Sequence, residues 1–117
     1  MRKPVPGKEK RYWALLQGNV AEQFVEVPKA DPVRIDGFNL ELFAYKAWRD
    51  GRDKGMWYVV EATSGLSVSA PTRTKAQAIK SAKEVLLQHG AAKTERALKS
   101  RIRVHGLSPR YLSGKGK

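Results

Sequence analysis

The side chains of this chain that could do chemistry are mostly cations, grouped around one expected helix start and along two helical stretches. Thr72, Arg73, Thr74 and Lys75 stand where backbone N–H groups are expected to point outward at the positive end of a helix dipole. A phosphate placed there would be favoured twice over. Lys80 and Lys83 extend that edge by one and two turns, and Lys93, Arg96, Lys99, Arg101 and Arg103 form a second cluster. The chemistry this predicts is capture of a polyanion, in which phosphate contacts give affinity and register but read no sequence. Caps on Thr72 and Thr74 with solvated lysines would fit the first group equally well, and it is the remaining charge of the chain that decides for binding. Base edges would fall to Tyr58, Ser67 and Ser69, with Arg49 and Arg52 at the approach. Ser67 and Ser69 alternate with Leu66 and Val68, so they line the polar face of a ribbon that fits a major groove. Trp48 and Trp57 are read as core residues, with stacking on single-stranded bases as the alternative.

Catalytic groups are not expected. The chain has no cysteine, which excludes disulfides, thiolate zinc sites, iron–sulfur clusters and thiol nucleophiles. Its two histidines, His89 and His105, have no carboxylate nearby in sequence to orient them. The acids Asp31, Asp36, Glu41, Asp50 and Asp53 are spaced irregularly, and Gly51-Arg52-Asp53-Lys54-Gly55 is a charged turn that lacks the residues of a phosphate cradle. The reading is a non-enzymatic protein with no metal and no cofactor.

The 117 residues carry 23 Lys and Arg against 11 Asp and Glu, a formal charge of +12 and a pI near 10.2. The charge is unevenly placed. Residues 1–11 hold five basic side chains and one acid, residues 12–72 hold six against eight, and residues 73–117 hold twelve against Glu84 and Glu95 alone. A solvated surface needs a net charge of only about 2 to 8 in a small domain. The asymmetry therefore predicts a polyanionic partner, nucleic acid first and DNA ahead of RNA, with an acidic protein surface as the second reading. No apolar run approaches the ~18–20 residues of a membrane span, and the first residues lack the apolar stretch of a secretory signal. A cytoplasmic protein with no membrane role is expected.

The elements that would position these cations are legible to different degrees. Residues 1–11 mix Pro4, Pro6 and Gly7 with cations and read as a flexible basic arm; residues 107–117 read as a flexible basic tail. Between them lies a single α+β domain, residues 12–106. Residues 12–17 and 23–27, separated by the turn signal Gly18-Asn19, are two short strands or a strand with an irregular lead-in, and Pro28 and Pro32 break the pattern. Residues 38–48 satisfy helix spacing through Leu40, Phe43, Ala44, Ala47 and Trp48, yet their aromatic density favours a strand. Residues 56–62 and 66–70 form a hairpin with one buried face around Thr63-Ser64-Gly65. Thr74 to Gln77 has the form of a capping box. Ala78, Ile79, Ala82, Val85, Leu86 and His89 make one helical stripe, and Gly90 is placed to stop it. A second, basic helix over residues 92–105 presents Ala91, Leu98, Ile102 and His105 on one face, and Gly106 follows. The expected fold is a three- to four-stranded antiparallel sheet packed against one main helix, with a basic C-terminal helix.

Residues 56–89, with Trp57-Tyr58-Val59, a Ser-Gly turn, a short strand and Thr74-Lys75-Ala76 opening a helix, resemble the end of the arm-type DNA-binding domain of tyrosine-recombinase integrases and the related AP2 domains. The resemblance implies a three-stranded sheet on one helix, with the sheet inserted in the major groove. It would make residues 38–48 the first strand, place Arg49, Tyr58, Ser67 and Ser69 near DNA, and suggest a mobile-element or phage origin. The same pattern is similar to the hairpin-to-helix part of HicB-type antitoxins, and to the double-stranded-RNA-binding domain in its phosphate-gripping final helix.

Overall fold

Leu42, Phe43, Ala44 and Tyr45 are consecutive and all buried, which a strand permits only when both of its faces are covered. They belong to β4 (Leu42–Lys46), the middle strand of an antiparallel sheet in the order β3-β4-β5, with β3 at Asp31–Val33 and β5 at Trp57–Glu61. The computed structural model of the chain describes residues 3–17 and 21–112. The Gly18-Asn19 turn therefore lies outside the described residues, as do residues 1–2 of the arm and 113–117 of the tail.

On one face of this sheet, Leu42, Ala44 and Val59 pack with Val33, Ile35 and Val68 against Ala78, Ala82 and Leu86 of the helix. On the other face, Phe43, Tyr45 and Val60 pack with Tyr12, Ala14 and Val27. Tyr12 precedes and Ala14 lies within β1 (Trp13–Gln17), which pairs with β2 (Glu22–Glu26) as a separate two-stranded antiparallel sheet. The α+β fold thus has three layers, helix, three-stranded sheet and two-stranded sheet. The expectation that the hairpin of residues 56–70 buries one face is corrected: Val59 faces the helix, Val60 faces β1 and β2, and both are enclosed. Pro32, read as a breaker, sits inside β3. It is tolerated there because β3 is an edge strand, where a missing N–H interrupts no second ladder.

The second arm of the hairpin is also less regular than expected. Residues 66–72 pair with β5 at isolated bridges, Ser67–Val60 and Thr72–Trp57, with no continuous ladder. Between them the Val59 N–H donates to Ser69 Oγ at 2.9 Å, so a side chain fills a place that a backbone carbonyl takes in a regular ladder. The turn itself is built around the carboxylate of Glu61, which is 2 % exposed. It accepts from the N–H and hydroxyl of both Thr63 and Ser64 at 2.7–3.0 Å, so the buried acid is satisfied without a cation. Gly65 closes the turn at φ 72° and donates its N–H to the Glu61 carbonyl, while its own carbonyl accepts from Leu15 N at 2.9 Å. A Cβ there would come within 2.7 Å of Phe24 Cε1 and 2.9 Å of Leu15 N. The hairpin tip is thus keyed into the two-stranded sheet.

The helical segment α1 (Lys75–His105) begins at Thr74, whose hydroxyl oxygen accepts from Gln77 N at 3.1 Å, the threonine half of the expected box. It is interrupted at Gly90, whose φ of 79° and ψ of 163° belong to a region essentially reserved for glycine. The halves 75–89 and 91–105 are the two helices expected from sequence. An unbroken helix of this length would span roughly 46 Å at 1.5 Å per residue. The longest extent of the molecule is 38 Å. The break keeps both halves against the sheets: Ala78, Ala82 and Leu86 are buried in the first, Thr94 and Leu98 in the second. His89, placed on the apolar stripe by its spacing, is exposed. No helix among the described residues is long and apolar enough to cross a membrane.

The ends of the domain differ from the free arm and tail expected. Val5 N donates to the Arg110 carbonyl at 2.9 Å, and Lys8 Nζ donates to the carbonyls of Pro109 and Leu112. Arg110, in a 3₁₀ turn at Pro109–Tyr111, returns three bonds of 2.7–2.9 Å from Nη1 to the carbonyls of Lys8, Glu9 and Arg11. Its guanidinium lies over the Tyr12 ring at 4.0 Å, and its Nη2 bonds Glu41 Oε2 at 2.6 Å. Proline and cations made these segments look unable to pack; one buried guanidinium supplies the donors that hold them.

Candidate nucleic-acid interface

At 100° per residue, Lys80 falls on the side of the first half-helix opposite Ala78, Ala82 and Leu86 and Lys83 falls at the edge of that buried stripe, and both are exposed. In the second half, Arg96, Lys99 and Arg103 stand at i, i+3 and i+7, opposite Thr94 and Leu98, with Lys93 beside them. All four are exposed, and the only ion pair they form among the described residues is a loose 4.0 Å approach of Lys99 to Glu95. Arg73 is exposed just before the helix. These seven cations turn their charge to solvent.

Arg101 does not belong with them. It points to the buried side, where Nη2 bonds Glu22 Oε1 of β2 at 2.7 Å and His105 Nε2 approaches the same oxygen at 3.5 Å. Its Nε is buried without a partner among the described residues. The position was legible, since Leu98, Arg101 and His105 share the i, i+3, i+7 stripe. Lys75 is likewise engaged, 3.2 Å from Asp31 on the edge strand. Thr72 and Thr74 serve the helix start: the Thr72 hydroxyl donates to the Thr74 carbonyl at 2.8 Å while Thr74 caps.

The residues expected to meet base edges occupy two places. Ser67 and Ser69 bond the strand itself, Ser67 Oγ donating to the Ser69 carbonyl at 3.0 Å and Ser69 Oγ accepting from Val59. Tyr58 lies on the sheet face that β1 and β2 cover, stacked on Tyr45 with ring centroids 5.6 Å apart, and donates its hydroxyl to Asp53 Oδ2 at 2.7 Å. Burial first, then the hydrogen bond and charge of Asp53, push the Tyr58 phenol well above its ordinary range. Burial also pushes Tyr45 up, to about 12. Arg49 and Arg52 are exposed on the loop between β4 and β5. The face of this sheet that points away from α1 is thus covered by the second sheet.

Sequence reasoning missed Arg110, whose partners are carbonyls distant in sequence and carry no motif. It named Trp48 as an alternative stacking residue and Arg49 as a base-approach residue, but not the acids Asp50 and Asp53 that join them and Tyr45 in lining a cleft of about 200 Å³. The chain matches no protein-family model, no curated protein and no solved structure.

Proposed function

We propose that this chain is a cytoplasmic, non-enzymatic nucleic-acid-binding protein that engages the phosphates of duplex DNA through the outward faces of both halves of α1. One observation carries the reading: Arg96, Lys99 and Arg103 form a single exposed row opposite the buried Thr94 and Leu98. Lys80, Lys83, Lys93 and Arg73 add to the same solvent-facing charge, whereas the half-buried Arg101 and the buried Arg110 are paired with Glu22 and Glu41. A fold does not require such a row. Phosphates favour it through counterion release. The arm-type resemblance assigns DNA to the sheet; the covered sheet and the internally bonded Ser67 and Ser69 favour the helices.

The test is fluorescence anisotropy against random duplex DNA, single-stranded DNA and duplex RNA, each at two salt concentrations. Tight duplex DNA binding with a steep salt slope supports the reading, and absence of binding to all three at low salt overturns it. A second reading, docking on an acidic protein as an antitoxin-like module does, is favoured by Leu87 and Val104, which are 62 % and 72 % exposed on the helices that carry the cations. Shallow salt dependence together with capture of an acidic partner would select it.

A further inference from the structure

The cleft at the end of β4 differs in character from the cationic helices. Tyr45, Trp48, Arg49, Asp50 and Asp53 line it, with Leu16 of β1. The loop that carries these groups is pinned at both ends, Ala47 N donating to Met56 O and Gly55 N to Ala47 O, each at 2.8 Å. The half-buried Trp48 indole is set edge-on to Tyr45 at 5.8 Å and 70°. Asp53 is held by the Tyr58 hydroxyl, and Asp50 is taken by Lys54 at 3.1 Å. The cleft therefore offers an aromatic surface, an oriented carboxylate and an exposed guanidinium within one small volume.

We propose that this cleft binds a single unpaired guanine, its ring against Trp48, its N1–H and 2-amino group donating to the Asp53 carboxylate, and its phosphate on Arg49. The choice of a base as occupant rests on the nucleic-acid reading above; the choice of guanine rests on donor chemistry. A carboxylate only accepts. Guanine presents two adjacent donors on its pairing edge, whereas adenine and cytosine place an amino group beside an acceptor nitrogen and uracil places one N–H between two carbonyls. Unpaired bases are recognised in this manner elsewhere, stacked on an aromatic ring and bonded on the pairing edge. Asp53 is oriented by Tyr58 before any ligand arrives, which lowers the ordering cost of binding.

The test is titration of the full chain with GMP, AMP, CMP and UMP, followed through the indole N–H resonance of Trp48, assigned with Trp48→Phe. GMP should move that resonance saturably and bind at least about tenfold more tightly than the other three, the scale of one good base contact. Asp53→Asn, on an exposed loop, should abolish the preference for GMP, and Arg49→Ala should weaken all four nucleotides alike. Equal binding of the four, or a Trp48 resonance that GMP leaves in place, overturns the proposal. Duplex binding without GMP binding removes this inference alone, and GMP binding without any polynucleotide binding removes the proposed function alone.

Discussion

Arg110 and Glu41 meet at 2.6 Å inside the fold, the guanidinium only 3 % exposed, with its Nη1 given to three backbone carbonyls and its Nε to the Tyr111 hydroxyl. Tyr111 adds its hydroxyl to the same carboxylate. Removing one member of such a buried pair leaves the other charge uncompensated, at a cost of about 3–5 kcal/mol. Arg110→Ala should therefore lower the urea midpoint strongly. A variant as stable as the parent would show that the two ends hold without this clamp.

The cations of α1 divide into two kinds that mutation can separate. Reversal of Lys93, Arg96 and Arg103 to glutamate should weaken duplex DNA binding for every sequence, and should reduce the log–log salt slope by about one unit for each phosphate no longer neutralised. Arg101→Gln should leave the slope alone and lower stability instead, because Arg101 bonds Glu22. Equal effects of the two changes on binding would place Arg101 on the DNA-facing side after all.

Gly65→Ala should destabilise the fold out of proportion to one methyl group. The new Cβ meets Phe24 and the backbone of Leu15, at a φ of 72° that disfavours any side chain. Overpacking of this kind costs about 1–3 kcal/mol. A thermal melt unchanged by the substitution would mean that the hairpin tip and the two-stranded sheet part readily.

Alkaline pH should unfold the protein through its tyrosines. Burial, then the charge of Asp53, raises Tyr45 from 10.0 to about 12. The folded state thus holds the phenol proton more tightly than the unfolded chain does. Its contribution to stability is complete below pH 10 and is lost as pH rises from there through about 12. Urea midpoints measured across that window should fall, and Tyr45→Phe should flatten the fall. The same decline in the phenylalanine variant would assign it to other groups.

The helices were readable because one stripe of each is buried and the other is wet, so Ala78, Ala82 and Leu86 recur at the helical period between a threonine cap and Gly90. β4 was hard to read for the opposite reason. With Leu42 and Ala44 facing the helix and Phe43 and Tyr45 facing the second sheet, the alternation that marks a strand disappears. The outward row of Arg96, Lys99 and Arg103 followed from spacing, and so could the inward turn of Arg101. Nothing local distinguishes Arg110 from the other cations of residues 73–117, since its role depends on carbonyls about a hundred residues away.

That separation gives the clamp a place in time as well as in space. Arg110 and the Lys8 carbonyl it bonds are 102 positions apart. A ribosome that has released everything through His105 has supplied both sheets and the whole of α1, yet the carbonyls of Lys8, Glu9 and Arg11 still lack this donor and the Tyr12 ring its cover. A chain stopped at that point carries every element except the latch. In such a chain the carbonyls of Lys8, Glu9 and Arg11 would turn to water in place of the guanidinium.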